Sequence, residues 1–327
     1  MSVSQIEMIS LEELVSSNHQ YRKFISVFDF TVFKKALKGA EKEGYYKGYG
    51  VERLFKCLVI QFMEDLSDRE LMRYLQENTS AKWFCDFGLT DSTPDFSVFS
   101  KFRKKLGTKK LSKMFETLRN QLIEQGKMSE VFTFVDASHL ISKATLWEER
   151  DEAIKHKYEK LNNESLPKVA NDKQARIGCK GGSKFWYGYK KHVSVDMQSG
   201  LINKVAITPA NITDAKGFKH VCPGGGAVYA DKGYCVKPAR DVAAKKGVHL
   251  AAIKKNNMKE KNRDLDRFYT KMRSPYERVF SQQNRRVRYV GAAKNQFAEF
   301  MNAICFNLKR MVVLENEKVP ILTQSWV

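Results

Sequence analysis

Three carboxylates in this chain are placed where they could act on a phosphodiester. Asp136 follows Phe134-Val135 and Asp231 follows Tyr229-Ala230, each closing a short β-rich run. Glu277 follows Ser274-Pro275-Tyr276, which reads as the start of a helix with the acid in its first turn. The separations are 95 residues from Asp136 to Asp231 and 46 from Asp231 to Glu277, so the fold must gather them, and a sheet-plus-helix layout can do so. Cutting a phosphodiester needs an activated water or 3′-hydroxyl and stabilisation of the leaving oxygen. Two metal ions roughly 4 Å apart do both. Mg²⁺ takes oxygen ligands, usually one or two carboxylates and substrate phosphates. Clustered carboxylates repel one another without a cation, so this set, once assembled, implies a metal. Plainer roles stand beside that reading. An Asp at a strand end often caps a turn, and Ser274 with Glu277 three residues on also fits a capping box. Asp196 and Asp214 are the rival acids. His139 reads as a packing or surface histidine, because metal-bound water needs no histidine base.

The elements that must position these acids change character near Val131. Before it the signals are helical. Val51–Glu64 carries Leu54, Leu58 and Phe62 at helical spacing. Ser67 to Glu70 is a capping box that opens a second helix with Leu71, Tyr74 and Leu75 inside. Thr93-Pro94-Asp95 opens a third, with Pro94 in its first turn, Phe96, Phe99, Phe102 and Leu106 on one stripe, and a stop at Gly107. Thr108–Gly126 is a fourth amphipathic helix. After Val131 come VFTFVDAS, KFWYGYKKHVSVD and LINKVAITPAN, the last two joined by a turn at Ser199-Gly200. AVYADKGY and VHLAAIKK are further strands, with a helix from Pro238 to Lys246 between them. Trp147–Lys173 is charged and weakly periodic, with helix expected only over Trp147–Leu161. Lys254–Arg267 reads as solvated, and Tyr276–Leu314 as mostly helical. The order predicts an α/β fold, a mixed sheet flanked by helices after an all-helical N-terminal domain. The expected divisions are 1–130, 131–314 and a tail at 315–327.

Composition narrows the partners. The 327 residues carry 57 Lys+Arg against 37 Asp+Glu, a formal charge of +20, and that excess points to nucleic acid. With 43% hydrophobic residues the chain can bury a substantial core. No run approaches the roughly 18 apolar residues of a membrane span, and the N-terminal residues show no secretion pattern. Six cysteines without CxxC spacing suggest reduced packing thiols in a cytoplasmic, nucleoid-associated protein and no zinc site. Arg103, Lys104 and Lys105 lie opposite the Phe stripe and are candidate DNA contacts. Lys190, Lys191 and His192, on a strand leading towards the acids, are candidate DNA-channel residues.

The motifs around the acids resemble the DDE insertion-sequence transposases of the bacterial four/five superfamily. FVDASHL resembles the first-aspartate motif and AVYADKGY the second. RSPYERVFSQQNRR is similar to the segment that carries the last acid. ARIGCKGGSKFWYGYKKHVSVD, AITPANITDA and NAICFNLKRM match further family segments. LSDRELMRYLQENTSAKWFCDFGLTDSTPDFSVFSKFRKKLG resembles the helical domain that precedes the catalytic one. The resemblance spans about residues 40 to 314 and implies an RNase H-like catalytic fold. It implies Asp136, Asp231 and Glu277 as catalytic residues and ligands of two Mg²⁺ ions, with Mn²⁺ as a substitute. It places Arg273 near a DNA phosphate. Where the family often has Lys, seven residues past the Glu, this chain has Asn284, followed by Arg285 and Arg286 as candidate phosphate contacts. The implied partners are the element's terminal repeats, target DNA and further copies of the chain in the DNA complex. The alternatives are a nuclease of the same fold without strand transfer, or a domesticated DNA-binding protein.

Overall fold

The computed structural model describes residues 9–31, 49–142, 163, 166–181, 184–259, 261–277 and 285–317. Asn284 and the helix expected over Trp147–Leu161 lie outside them. The chain forms two compact units, one of Met1–Leu118 with Ile304–Val319 and one of Arg119–Ala303 with Pro320–Val327.

The first unit is helical. The Val51–Met63 helix buries Leu54, Leu58 and Phe62, which contribute about 2 kcal/mol each by leaving water. The box at Ser67 and Glu70 forms as expected, and Leu71 and Leu75 are fully buried behind it. The Phe96–Glu124 helix is interrupted at Gly107, whose φ of 64° and ψ of 161° are not helical; a glycine tolerates that φ without strain. Phe99, Phe102 and Leu106 are buried, but Phe96 is exposed beneath Arg69, 5.0 Å from its ring centre. Pro94 falls before the helix rather than in its first turn, because the Asp95 carboxylate accepts the Ser97 N–H at 2.9 Å.

The second unit is a six-stranded mixed sheet ordered β2-β3-β1-β5-β6, with β4 also paired to β3. The strands are β1 Phe132–Ile141, β2 Arg176–Lys180, β3 Lys184–Asp196, β4 Ile202–Pro209, β5 Ala227–Ala230 and β6 His249–Ala252. β1, β5 and β6 run parallel, while β3 is antiparallel to β1, β2 and β4. One core packs Val135, Val228 and Ala230 against Phe218, Tyr234 and Ala239. Another packs Leu140, Tyr187 and Tyr189 with Val287. Gly200, at φ 74°, closes the β3–β4 hairpin.

Three expectations are corrected. β1 does not end at Asp136: it continues to Ile141, because β3 offers ladder partners as far as Gly188. The Lys254–Arg267 stretch is not merely solvated. Asn262 caps a helix over Arg263–Arg273, and its Asp266 carboxylate accepts the Lys254 N–H at 3.0 Å. Ser274 therefore begins no α-helix. It is the C-cap of that helix, followed by a single 3₁₀ turn, Ser274–Tyr276, with Glu277 at its end. The capping-box reading of Glu277 falls with it, and the final helix starts at Ala292.

Candidate active site

Parallel pairing between β1 and β5 ends at Val135 opposite Ala230. Each strand's next residue is an acid, Asp136 on one and Asp231 on the other. The sheet therefore brings the two aspartates to neighbouring positions despite their distance in sequence. Asp231 begins a short 3₁₀ turn and accepts the Lys232 N–H at 2.7 Å. Glu277 arrives from the end of the Arg263–Arg273 helix. Arg273, only 6% exposed, joins the two: its guanidinium lies 3.5 Å from Asp231 Oδ1 and 3.5 Å from Glu277 Oε1. The same guanidinium sits 5.7 Å from the centre of the Phe134 ring, and that ring packs on Tyr276 at 6.1 Å.

Asp136 differs from its neighbours in being largely withdrawn from water. Burial pushes its carboxyl up to about 6 from an ordinary 3.8. The Ala137 N–H, at 2.8 Å, and Arg273 act against that rise, while Asp231 and Asp214 add to it. A desolvated acid beside like charges ionises less readily until a cation joins it. All three proposed ligands offer carboxylate oxygens, the donor set that Mg²⁺ and Mn²⁺ take. Among the described residues no three His, Cys, Asp or Glu stand close enough to enclose an ion. The acids are grouped about Arg273, which balances the charge of Asp231 and Glu277.

The other sequence candidates have varied positions. Asp214 forms an ion pair with Lys190 at 2.8 Å. Asp196 is buried in the β3–β4 turn and accepts the Ser199 N–H at 3.0 Å, a structural role. Lys191 and His192 do not line a channel. β3 is covered on both faces here, so Lys191 is buried against Glu299 at 3.0 Å and His192 is buried with its ring nitrogen 2.9 Å from the Thr208 hydroxyl. Burial lowers the His192 imidazole to about 4, so it is neutral. Arg103 also turns inward, gripping Asp68 through two bonds of 2.7 and 2.6 Å and Gln61 at 3.0 Å. Lys104 is exposed and Lys105 partly so. Arg285 and Arg286 are exposed beside the end of β1, where Ile141 N–H donates to the Arg285 carbonyl at 2.8 Å. Tyr234 is a site residue that the sequence pattern does not single out. Its hydroxyl is buried with no hydrogen-bond partner, and the nearby charges of Asp136, Asp214 and Asp231 add to the burial that raises its phenol. Its position in AVYADKGY, three residues past Asp231, is the one available signal.

The Transposase DDE domain family matches residues 131–319, more than half of the chain. The chain belongs to this family of DDE transposases. The Transposase domain (DUF772) family matches residues 9–105. The transposase is thus a DNA-binding polynucleotidyl transferase and endonuclease of RNase H-like fold, dependent on a divalent metal. Among its described residues no helix is long and apolar enough to cross a membrane.

The buried pair in the transposase gives a direct test of the Lys191 reassignment. Lys191→Met strands Glu299 as an uncompensated charge, and breaking such a pair destabilises by about 3–5 kcal/mol. Urea unfolding should show that loss, with DNA affinity of the folded protein unchanged. Full stability with weakened DNA binding would return Lys191 to the channel.

Proposed function

We propose that this transposase recognises the terminal inverted repeats of its own insertion element and both cuts and joins DNA strands at Asp136, Asp231 and Glu277, with two Mg²⁺ ions. The observation that carries this is the register of β1 and β5, which sets Asp136 beside Asp231, with Arg273 linking Asp231 to Glu277. When bound, the ions would activate the attacking oxygen and stabilise the leaving one. Arg273 orients two of the acids from its buried seat. The Ala137 N–H fixes one oxygen of Asp136. Arg285 and Arg286, exposed beside the end of β1, would contact phosphate. In this reading residues 1–130 hold the repeat, 131–314 are catalytic, 315–327 form a tail, and further copies of the chain join in the DNA complex.

The experiment is cleavage and joining of a duplex carrying the element's end, in EDTA, Mg²⁺, Mn²⁺ or Ca²⁺ at fixed salt. Mg²⁺ and Mn²⁺ should support both steps, since both take oxygen-rich sites. Ca²⁺, with looser coordination, should support assembly but little cleavage. End binding should survive EDTA. Full cleavage in EDTA removes the metal-dependent mechanism, and cleavage without joining reduces the activity to that of a nuclease.

A further inference from the structure

Residues directly opposite one another on antiparallel strands share a face of the sheet, and faces alternate along each strand. Lys180 lies opposite Lys184, Gly178 opposite Trp186, and His139 opposite Lys190. Lys180, Lys184, Trp186, Lys190 and His139 therefore form one stripe across β2, β3 and β1. Side-chain geometry agrees, with the His139 ring 5.6 Å from the Trp186 ring and the Lys190 ammonium 5.9 Å from it. The indole lies over Gly178, where a Cβ would come within 2.7 Å of it. Arg285 reaches the same place from the segment hydrogen-bonded to Ile141.

This stripe is electrostatically unfavourable in the protein alone. Like charges directly opposite on paired strands destabilise a sheet. Lys180, Lys184 and Arg285 are all exposed, and among the described residues no carboxylate pairs with any of them. Together with burial, these three cations hold the His139 imidazole below its ordinary value. Four basic groups converge on one spot, and an anion would relieve all of them.

We propose that Lys180, Lys184 and Arg285, grouped around His139, form a seat for the DNA phosphate backbone away from the scissile phosphate. His139 is three residues past Asp136 on β1, about 10 Å along the strand, and odd spacing puts it on the opposite face. The seat cannot grip the phosphate being cut. It holds flanking backbone and so fixes the register of the duplex against the acids. This role rests on the transposase reading above.

The test uses the full chain and a labelled duplex in EDTA, so that binding is read without cleavage. Removing one phosphate-binding cation should flatten the dependence of log affinity on log salt by about 0.9. Lys180→Thr with Lys184→Thr should therefore flatten it by about 1.8, so that between about 50 and 200 mM salt the variant loses affinity about 12-fold less than wild type. Threonine suits a strand, and removing the opposed charges should leave the melting temperature equal or higher, which separates this result from misfolding. A second readout is the His139 ring resonance. It should titrate at higher pH in the wild-type DNA complex than in the free protein, and the rise should shrink in the double variant. An unchanged salt slope, or a His139 titration unmoved by DNA, overturns the seat while leaving the transposase reading intact. Failure of the wild type to bind any duplex removes that reading first, and the seat with it.

Discussion

Alanine at Asp136, Asp231 or Glu277 is expected to abolish strand cleavage, by about a thousand-fold or more, while end binding in EDTA stays within a few-fold of wild type. A thousand-fold loss corresponds to about 4 kcal/mol of transition-state stabilisation, a reasonable share for one ligand of a catalytic metal pair. The three substitutions should differ in their side effects. Asp231 and Glu277 are partly open to solvent, with side chains 44% and 58% exposed, so their removal perturbs folding little. Each still leaves Arg273 one partner. Asp136 is more enclosed, and its removal relieves an ionisation penalty instead of breaking a bond network. Cleavage at fixed Mg²⁺ and gel-shift binding in EDTA separate these effects. A single alanine variant retaining more than about a tenth of wild-type cleavage would take that residue out of the proposed set. Equal loss of binding and folding in all three would make them structural.

Much of this arrangement is legible in the sequence because local pattern and tertiary role agree. FVDAS and VYADKGY are apolar strands with an acid just past the paired segment, and parallel pairing sets both acids at the same height. The switch at Val131 from helical spacing to alternation is equally clear. Most of the failures share a cause, which is polar residues buried by tertiary partners. Lys254–Arg267 looks solvated because the inward positions of the helix that begins within it are Asp266 and Arg273, satisfied by Lys254 and by the site acids. Pro275 reads as a helix start because proline suits a first turn, yet the preceding helix supplies that turn. Lys191 and His192 look like channel residues because nothing local shows that Glu299 and Thr208 will meet them. Arg103 falls on the open face by spacing, and only the fold shows Asp68 reaching it. The extension of β1 past Asp136 is hidden because Ala-Ser-His carries no strand pattern of its own and takes its ladder from β3.

The second large effect expected is on stability. In metal-free protein the Asp136 carboxyl titrates near about 6, raised from 3.8 chiefly by burial. The native state thus binds this proton more tightly than the unfolded chain does. Stability from that proton is fully present below about pH 4 and is lost as pH rises through about 6. The shift of roughly two units corresponds to about 3 kcal/mol at most. Asp136→Asn keeps the shape and removes the ionisation. It should match wild type at about pH 4 and exceed it by up to about 3 kcal/mol at pH 7 to 8, measured by urea unfolding in EDTA. Divalent metal should reverse the order. An ion that binds only the folded, ionised site adds about 4.1 kcal/mol at a thousand times its dissociation constant, more than the roughly 3 kcal/mol to be overcome. Mg²⁺ should therefore raise the wild-type midpoint at pH 8 and leave that of Asp136→Asn almost unmoved. Because it reads stability, this comparison tests metal binding at Asp136 independently of any cleavage assay. If both proteins respond equally to Mg²⁺, the ion binds elsewhere, and Asp136 loses its place as a ligand whatever its effect on cleavage.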